Sequence, residues 1–289
     1  MRLLFCGDIV GRSGRDVVVE HLPRLRRELA LDFVIANGEN AAGGFGISEK
    51  ICAELYAAGI DVITTGNHVW DQKETVGFID RDPRLLRPHN FPRGTPGRGS
   101  GVYQTARGRK VMVVNLMGRL FMDALDDPFA AAERELSGQR LGGTVDAIVI
   151  DFHAEATSEK QSLAHYLDGR VSLVIGTHTH VPTADDQILP KGTAFQSDAG
   201  MCGDYDSVIG MEKAIPVARF VRKLPTERLS PAPGPGTLCA AYLETDDHTG
   251  LARRFAPLRL GGRLRPHWPL SEGPADQVEL SAKEPLSVG

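Results

Sequence analysis

Five short apolar runs, each ending at a side chain that can bind a metal, constrain this chain more than any other feature. Residues 3–6 stop at Gly7-Asp8, and 33–36 stop at Asn37-Gly38-Glu39-Asn40. Residues 60–63 lead through Thr64-Thr65 to Gly66-Asn67-His68. Residues 147–151 stop at Phe152-His153, and 172–175 at Gly176-Thr177-His178-Thr179-His180. Apolar runs of this length read as buried strands. Segments with a helical period lie between them. Val17, Val18, His21, Leu22, Leu25 and Leu29 share one face, with Pro23 as a kink or a break. Ser48 caps a helix to about Ala58, and 128–136 and 157–167 also read as helices. Residues 101–104 and 110–115 form a strand pair around Arg107-Gly108-Arg109, 188–195 a hairpin, and 238–243 with 252–258 a final pair. The alternation predicts an α/β protein with a largely parallel, doubly covered sheet and some antiparallel strands.

Composition narrows the function classes. The chain has 289 residues, a net charge of -4 and a pI near 6.1, with no long basic run. That argues against a nucleic-acid-gripping surface and leaves small phosphorylated substrates open. Cys6, Cys52, Cys202 and Cys239 are scattered and form no Cys-x-x-Cys pair, so they read as reduced thiols. No stretch is long enough to span a membrane, and the opening residues lack a signal-peptide pattern. A cytoplasmic location is expected.

The strand ends carry the chemistry. In open α/β sheets ligands bind at the carboxyl ends of strands. The donors gathered there are two carboxylates (Asp8, Glu39), two amide oxygens (Asn40, Asn67) and the imidazoles of His68, His153, His178 and His180, with no thiolate. A mixed oxygen and nitrogen set of this size suits manganese, iron or zinc and exceeds the needs of one ion. Two ions, bridged by Glu39 at a spacing of roughly 3.5–4 Å, answer it. With so few acidic ligands the pair keeps positive charge, which attracts a phosphoryl group.

In order and spacing these motifs resemble the calcineurin-like metallophosphoesterases. They more closely resemble the YmdB-type phosphodiesterase family. The matching stretches are Gly7-Asp8-Ile9-Val10-Gly11, Asn37-Gly38-Glu39-Asn40, Gly66-Asn67-His68-Val69-Trp70-Asp71, Phe152-His153-Ala154-Glu155-Ala156-Thr157-Ser158-Glu159-Lys160 and Asp198-Ala199-Gly200-Met201-Cys202-Gly203. The likeness covers about residues 1–260, the expected metallophosphoesterase domain. Residues 261–289 read as a weakly structured tail. It implies a calcineurin-like fold: a four-layer α-β-β-α sandwich with mixed sheets and a metal site at the strand C-terminal edge. The chain departs from the wider superfamily in having Val10 where a histidine is usual, and Glu39 where an aspartate is usual. The family pattern replaces the missing ligand with Asn40. The resemblance therefore implies one ion on Asp8, Glu39, Asn40 and His180 and a second on Glu39, Asn67, His153 and His178, most readily iron or manganese, with zinc compatible.

The same resemblance implies a mechanism and a substrate class. A metal-bridging hydroxide attacks phosphorus in line, and His68, not a ligand, protonates the leaving oxygen. The expected substrate is a small phosphodiester, a cyclic nucleotide such as 2′,3′-cyclic AMP. A phosphomonoesterase on the same scaffold is one alternative. A nucleotide-binding regulatory protein with little turnover is another. Oligomeric state and physiological substrate stay open.

Lesser features are read plainly. Gly7, Gly11 and Gly14 do not have dinucleotide-fold spacing. The His178-x-His180 pair comes last among the ligands, unlike the first-strand pair of amidohydrolase barrels. Thr157-Ser158-Glu159-Lys160 reads as helix capping, with phosphate contact by Ser158 or Lys160 as the alternative. Asp71 reads as an exposed turn acid, with orienting His68 as the alternative. Residues 81–98 read as a solvated loop, with arginines at the substrate rim as the alternative. His21, His89, His165, His248 and His267 read as surface or core residues.

Overall fold

The structure, a computed structural model, describes residues 1–225 and 227–270. In chain order its elements are β1 (Arg2–Cys6), β2 (Asp8–Ile9), α1 (Gly11–Glu28), β3 (Phe33–Asn37), α2 (Glu49–Ala58), β4 (Val62–Thr64), α3 (Thr75–Phe78), β5 (Ser100–Gln104) and β6 (Lys110–Met117). There follow α4 (Pro128–Leu136), β7 (Ala147–His153), α5 (Thr157–Leu167), β8 (Leu173–Thr177), β9 (Gln187–Ile188), β10 (Ala194–Gln196), β11 (Met201–Cys202), α6 (Ala214–Arg222), β12 (Thr237–Thr245) and β13 (Ala252–Gly261).

The strands form two large mixed sheets, not the single doubly covered sheet that the apolar pattern suggests. One has the order β13-β12-β1-β3-β4, the other β5-β6-β7-β8-β10-β9. In each, the strands that carry the motifs pair in parallel with one another, and the antiparallel pairs are β1/β12, β12/β13, β5/β6 and β9/β10. β2 and β11 form a separate parallel pair. The core explains why the apolar pattern suggests helices on both faces of one sheet. Leu3, Phe5, Phe33 and Ile35 of the first sheet share a buried cluster with Val111, Val113, Val149 and Ile175 of the second. Their neighbours Leu4, Cys6, Val34 and Ala36 point the other way and pack with Val18, Leu22, Leu25 and Leu55 of α1 and α2. Val114, Ile148, Ile150 and Val174 pack with Ala131, Leu163 and Leu167 of α4 and α5. A strand buried on both faces is apolar throughout, whether a helix or a second sheet covers it.

Local chemistry accounts for the helix ends. Ser48 Oγ accepts from the Ile51 amide at 3.3 Å, and Gly59 closes α2 in the left-handed region at φ 109°. Asp127 caps α4, with Pro128 at its first turn. Pro23 lies inside α1, which neither breaks nor ends there. Two features correct the reading of 157–160: α5 has no side-chain cap, and Glu159 and Lys160 are buried. Another correction concerns the loop 81–98. Arg87 is buried within it and donates to the carbonyls of Pro88, Thr95, Pro96 and Gly97. The sequence pattern places nothing over β2, β11 or α6.

The expected tail begins inside the described residues. Arg259 and His267 exchange backbone hydrogen bonds of 2.9 Å, and Trp268 and Leu270 pack against the α1/α2 core. The tail beyond residue 270 lies outside the described residues. No helix among the described residues is long and apolar enough to cross a membrane.

Candidate metal centre

All five strand ends converge at one edge of the two sheets, and they bring the predicted donors together. Two groups of ligand atoms form there, Glu39 with His153 and His178, and Asp8 with Glu39 and His180, each within 4.8 Å of one another. Glu39 is common to both. Asn67 Oδ1 lies 3.0 Å from His153 Nε2, and Asn40 Oδ1 lies 3.3 Å from His180 Nε2. Asp8, Glu39, Asn40, His153 and His180 are all buried. His68 belongs to neither group. Gly66 permits the close approach: a methyl group there would collide with the His153 ring and the Glu39 carboxylate.

Each imidazole is oriented by a partner behind it, and that decides which nitrogen faces the cluster. His180 Nδ1 meets the Ile209 carbonyl at 2.8 Å. A carbonyl only accepts, so Nδ1 carries the proton and Nε2 presents its lone pair. The Thr177 hydroxyl donates to Asp151 Oδ1 at 2.7 Å, so it accepts from His153 Nδ1 at 2.9 Å. His178 Nε2 stands 3.3 Å from Glu155 Oε2, which leaves Nδ1 facing His153 Nε2 at 3.1 Å. Asn37 completes the back wall: its Nδ2 donates to Asp151 at 3.1 Å and its Oδ1 accepts from the Glu39 amide at 3.1 Å. Sequence reasoning assigned no role to Asn37, Asp151, Glu155 or Thr177. Their signal was only adjacency to a ligand.

Burial and close charges shift the ionisable groups of this pocket in opposite directions. Burial would raise Glu39, but His153 and the His68 amide outweigh it and bring the carboxyl to about 2. Burial disfavours the His153 cation, yet Glu39, Asp8 and Asp151 hold its proton up to about 9. Burial, then the neighbouring His153 charge, pushes His178 down to about 3, and burial also lowers His180. Burial raises Asp8 well above its usual range and lifts Asp151 to about 6. Asp8 Oδ1 is buried with no hydrogen-bond donor, a cost on the order of 1–3 kcal/mol for a polar atom left unmatched. Three acceptor atoms crowd His153 Nε2: Glu39 Oε1 at 3.0 Å, Asn67 Oδ1 at 3.0 Å and His178 Nδ1 at 3.1 Å. Divalent cations between the two groups would satisfy all of these atoms, so the donor set fits a metal pair.

His68 has a different setting. Its amide donates to Glu39 Oε2 at 3.0 Å, while its ring Nδ1 meets Asp71 Oδ2 at 2.8 Å. Asp71 is an exposed turn acid that also holds the His68 ring through Nδ1, the orienting role weighed as its alternative. The Phe45 ring meets His68 edge-on with centroids 5.1 Å apart, and Arg228 lies 5.7 Å from the Phe45 centroid. A cavity of about 790 Å³ between the start of α1 and residues 231–236 contains none of the donors.

Comparison with known proteins agrees with this geometry. The family model described as YmdB-like protein matches residues 4–258. A 2′,3′-cyclic-nucleotide 2′-phosphodiesterase of Bacillus subtilis (strain 168) is 51% identical over 249 residues, covering 86% of this chain and 93% of that protein. A crystal structure of a hypothetical protein from Thermus thermophilus is 43% identical with a TM-score of 0.84, covering 91% of this chain and 100% of that one. A phosphatase from Mycoplasma pneumoniae is 32% identical, also at a TM-score of 0.84, covering 90% and 93%. With the family model spanning nearly all of the described residues, the chain belongs to the YmdB-like family.

Proposed function

We propose that this protein is a dinuclear-metal phosphodiesterase acting on cyclic nucleotides such as 2′,3′-cyclic AMP. The observation that carries the reading is Glu39, shared between two donor groups at one sheet edge. Asp8, Glu39, Asn40 and His180 would hold one ion, and Glu39, Asn67, His153 and His178 the other. The mixed oxygen and nitrogen donors suit iron, manganese or zinc, and the family resemblance favours iron or manganese. When bound, the ions supply a water-derived nucleophile and the positive charge that the phosphoryl oxygens develop against. The two-sheet core with helices on its outer faces is consistent with the four-layer α-β-β-α framework over residues 1–260.

The chain's own groups do the rest. His153, His178 and His180 are held as lone-pair donors by Thr177, Glu155 and Ile209. His68, gripped by Asp71 through Nδ1, keeps Nε2 for the proton that it gives to the leaving oxygen. The leaving group of a 2′,3′-cyclic nucleotide is a ribose alkoxide, a poor leaving group without a proton. The Phe45 ring beside His68, with the Arg228 guanidinium against that ring, offers an aromatic face and a cation, which suits a nucleotide. The activity in the name of the Bacillus subtilis relative supports the substrate class. The four buried, free cysteines suit a reducing cytoplasm.

The second reading, a phosphomonoesterase, has support in the phosphatase from Mycoplasma pneumoniae. Comparing a bis-aryl with a mono-aryl phosphate separates the two. Preference for the diester is expected; preference for the monoester would overturn the first reading.

A further inference from the structure

We propose that the buried Lys160–Asp198 ion pair is a positioning device that sets the affinity of the metal centre by pinning the turn that carries His178 and His180. The inference rests on the metal-site reading above.

The turn is held in an unfavourable shape. His178 and His180 have φ of 99° and 66°, a region that residues with a Cβ rarely occupy and keep only when their surroundings impose it. Thr179 lies between them, and its amide and its hydroxyl both donate to Asp198 Oδ2, at 3.0 and 2.8 Å. Lys160 Nζ donates to the same oxygen at 3.0 Å. Lys160 and Asp198 are only 2% and 1% exposed. Three donors on one carboxylate oxygen need its full negative charge, and the ammonium is what makes that charge tolerable in the interior.

The same carboxylate reaches a third ligand. Asp198 Oδ1 accepts from the Gly200 amide at 2.9 Å, and the Gly200 carbonyl accepts from the Asp8 amide at 3.2 Å. One carboxylate therefore ties the backbones at Asp8, His178 and His180. Gly176 admits the lysine: a Cβ there would meet the Ser197 carbonyl and the Lys160 stem. Lys160 and Asp198 are both buried and spend these contacts on the turn and on Gly200, so the pair acts through the ligands it holds.

The test measures Mn(II) affinity of the chelator-stripped full chain, with the thermal midpoint of the metal-free protein as a folding control. Asp198→Asn is expected to weaken Mn(II) binding by about 10–100-fold, the usual range for outer-shell partners. Thr179→Val removes only the hydroxyl contact and is expected to weaken binding by less. Thr179→Ser, which keeps the hydroxyl, is expected to restore it. Wild-type Mn(II) affinity in whichever of Thr179→Val and Asp198→Asn folds would overturn the proposal and leave the pair a structural brace. If the unsubstituted chain failed to bind Mn(II), the metal-centre reading would fall instead.

Discussion

Removing the His68 side chain separates the proton donor from the metal ligands. In His68→Ala the backbone amide still donates to Glu39 Oε2, because that bond belongs to the main chain. Both donor groups stay complete, since neither includes His68. The lost contacts are the 2.8 Å link to Asp71 and the edge-on contact with Phe45. Those are partly exposed, so stability should fall by only about 1 kcal/mol. Metal content is therefore expected to match the unsubstituted protein. Turnover of an alkyl or ribose diester should drop by about 10²–10⁴-fold, the range for loss of a general acid, or about 3–5 kcal/mol of barrier. A p-nitrophenyl diester, whose leaving group departs without a proton, should lose far less. The assay is steady-state hydrolysis of both substrates beside metal analysis of the same sample. Equal losses on both substrates, or loss of metal along with activity, would refute the assignment of His68 as acid.

Other consequences follow from the same geometry. Asp71→Asn should act on the same step, lowering alkyl-diester turnover less than His68→Ala does and leaving metal content unchanged. Gly66→Ala should cost metal binding, because its methyl would enter the space of the His153 ring and Glu39 carboxylate; a metal-replete, active Gly66→Ala protein would show that the strand end is more yielding than drawn. His153 and His178 should make the stability of the metal-free protein depend on pH in opposite senses. His153, raised to about 9, contributes stability that is complete below its unfolded value of roughly 6.5 and is lost as pH rises through 9. His178, lowered to about 3, contributes stability that is present above roughly 6.5 and is lost as pH falls toward 3. Thermal melts across pH check this, and a midpoint that rises steadily from pH 6.5 to 9 would contradict it.

Much of the site was legible because metal ligands must sit at strand ends, and strand ends are marked by the change from apolar to polar residues. Asp8, Glu39, Asn67, His153 and His178 could be read that way, and the structure brings them together. Their supports could not. Lys160 sits in a helix and Asp198 in a loop 38 residues away, and nothing local distinguishes their sequence from a capped helix and a polar turn. Asp71 read first as a turn acid and only second as a partner of His68, because the three-residue step back to His68 becomes a contact only in the folded turn. The division into two sheets was hidden for a similar reason. Val34 faces a helix and Ile35 faces the other sheet, yet both are simply apolar. α6 went unread; Pro216 stands in its first turn, where a helix tolerates proline, and is the one buried residue of the helix.

The central claim is that two metal ions shared through Glu39 support diester hydrolysis. Metal analysis of anaerobically purified protein, followed by 2′,3′-cyclic AMP hydrolysis before and after chelation, tests it most directly. About two equivalents of iron or manganese per chain are expected, as the two donor groups require, with turnover abolished by chelation and restored by Mn(II). Full turnover in a metal-free sample, or two bound ions with no hydrolysis of any diester, would contradict it.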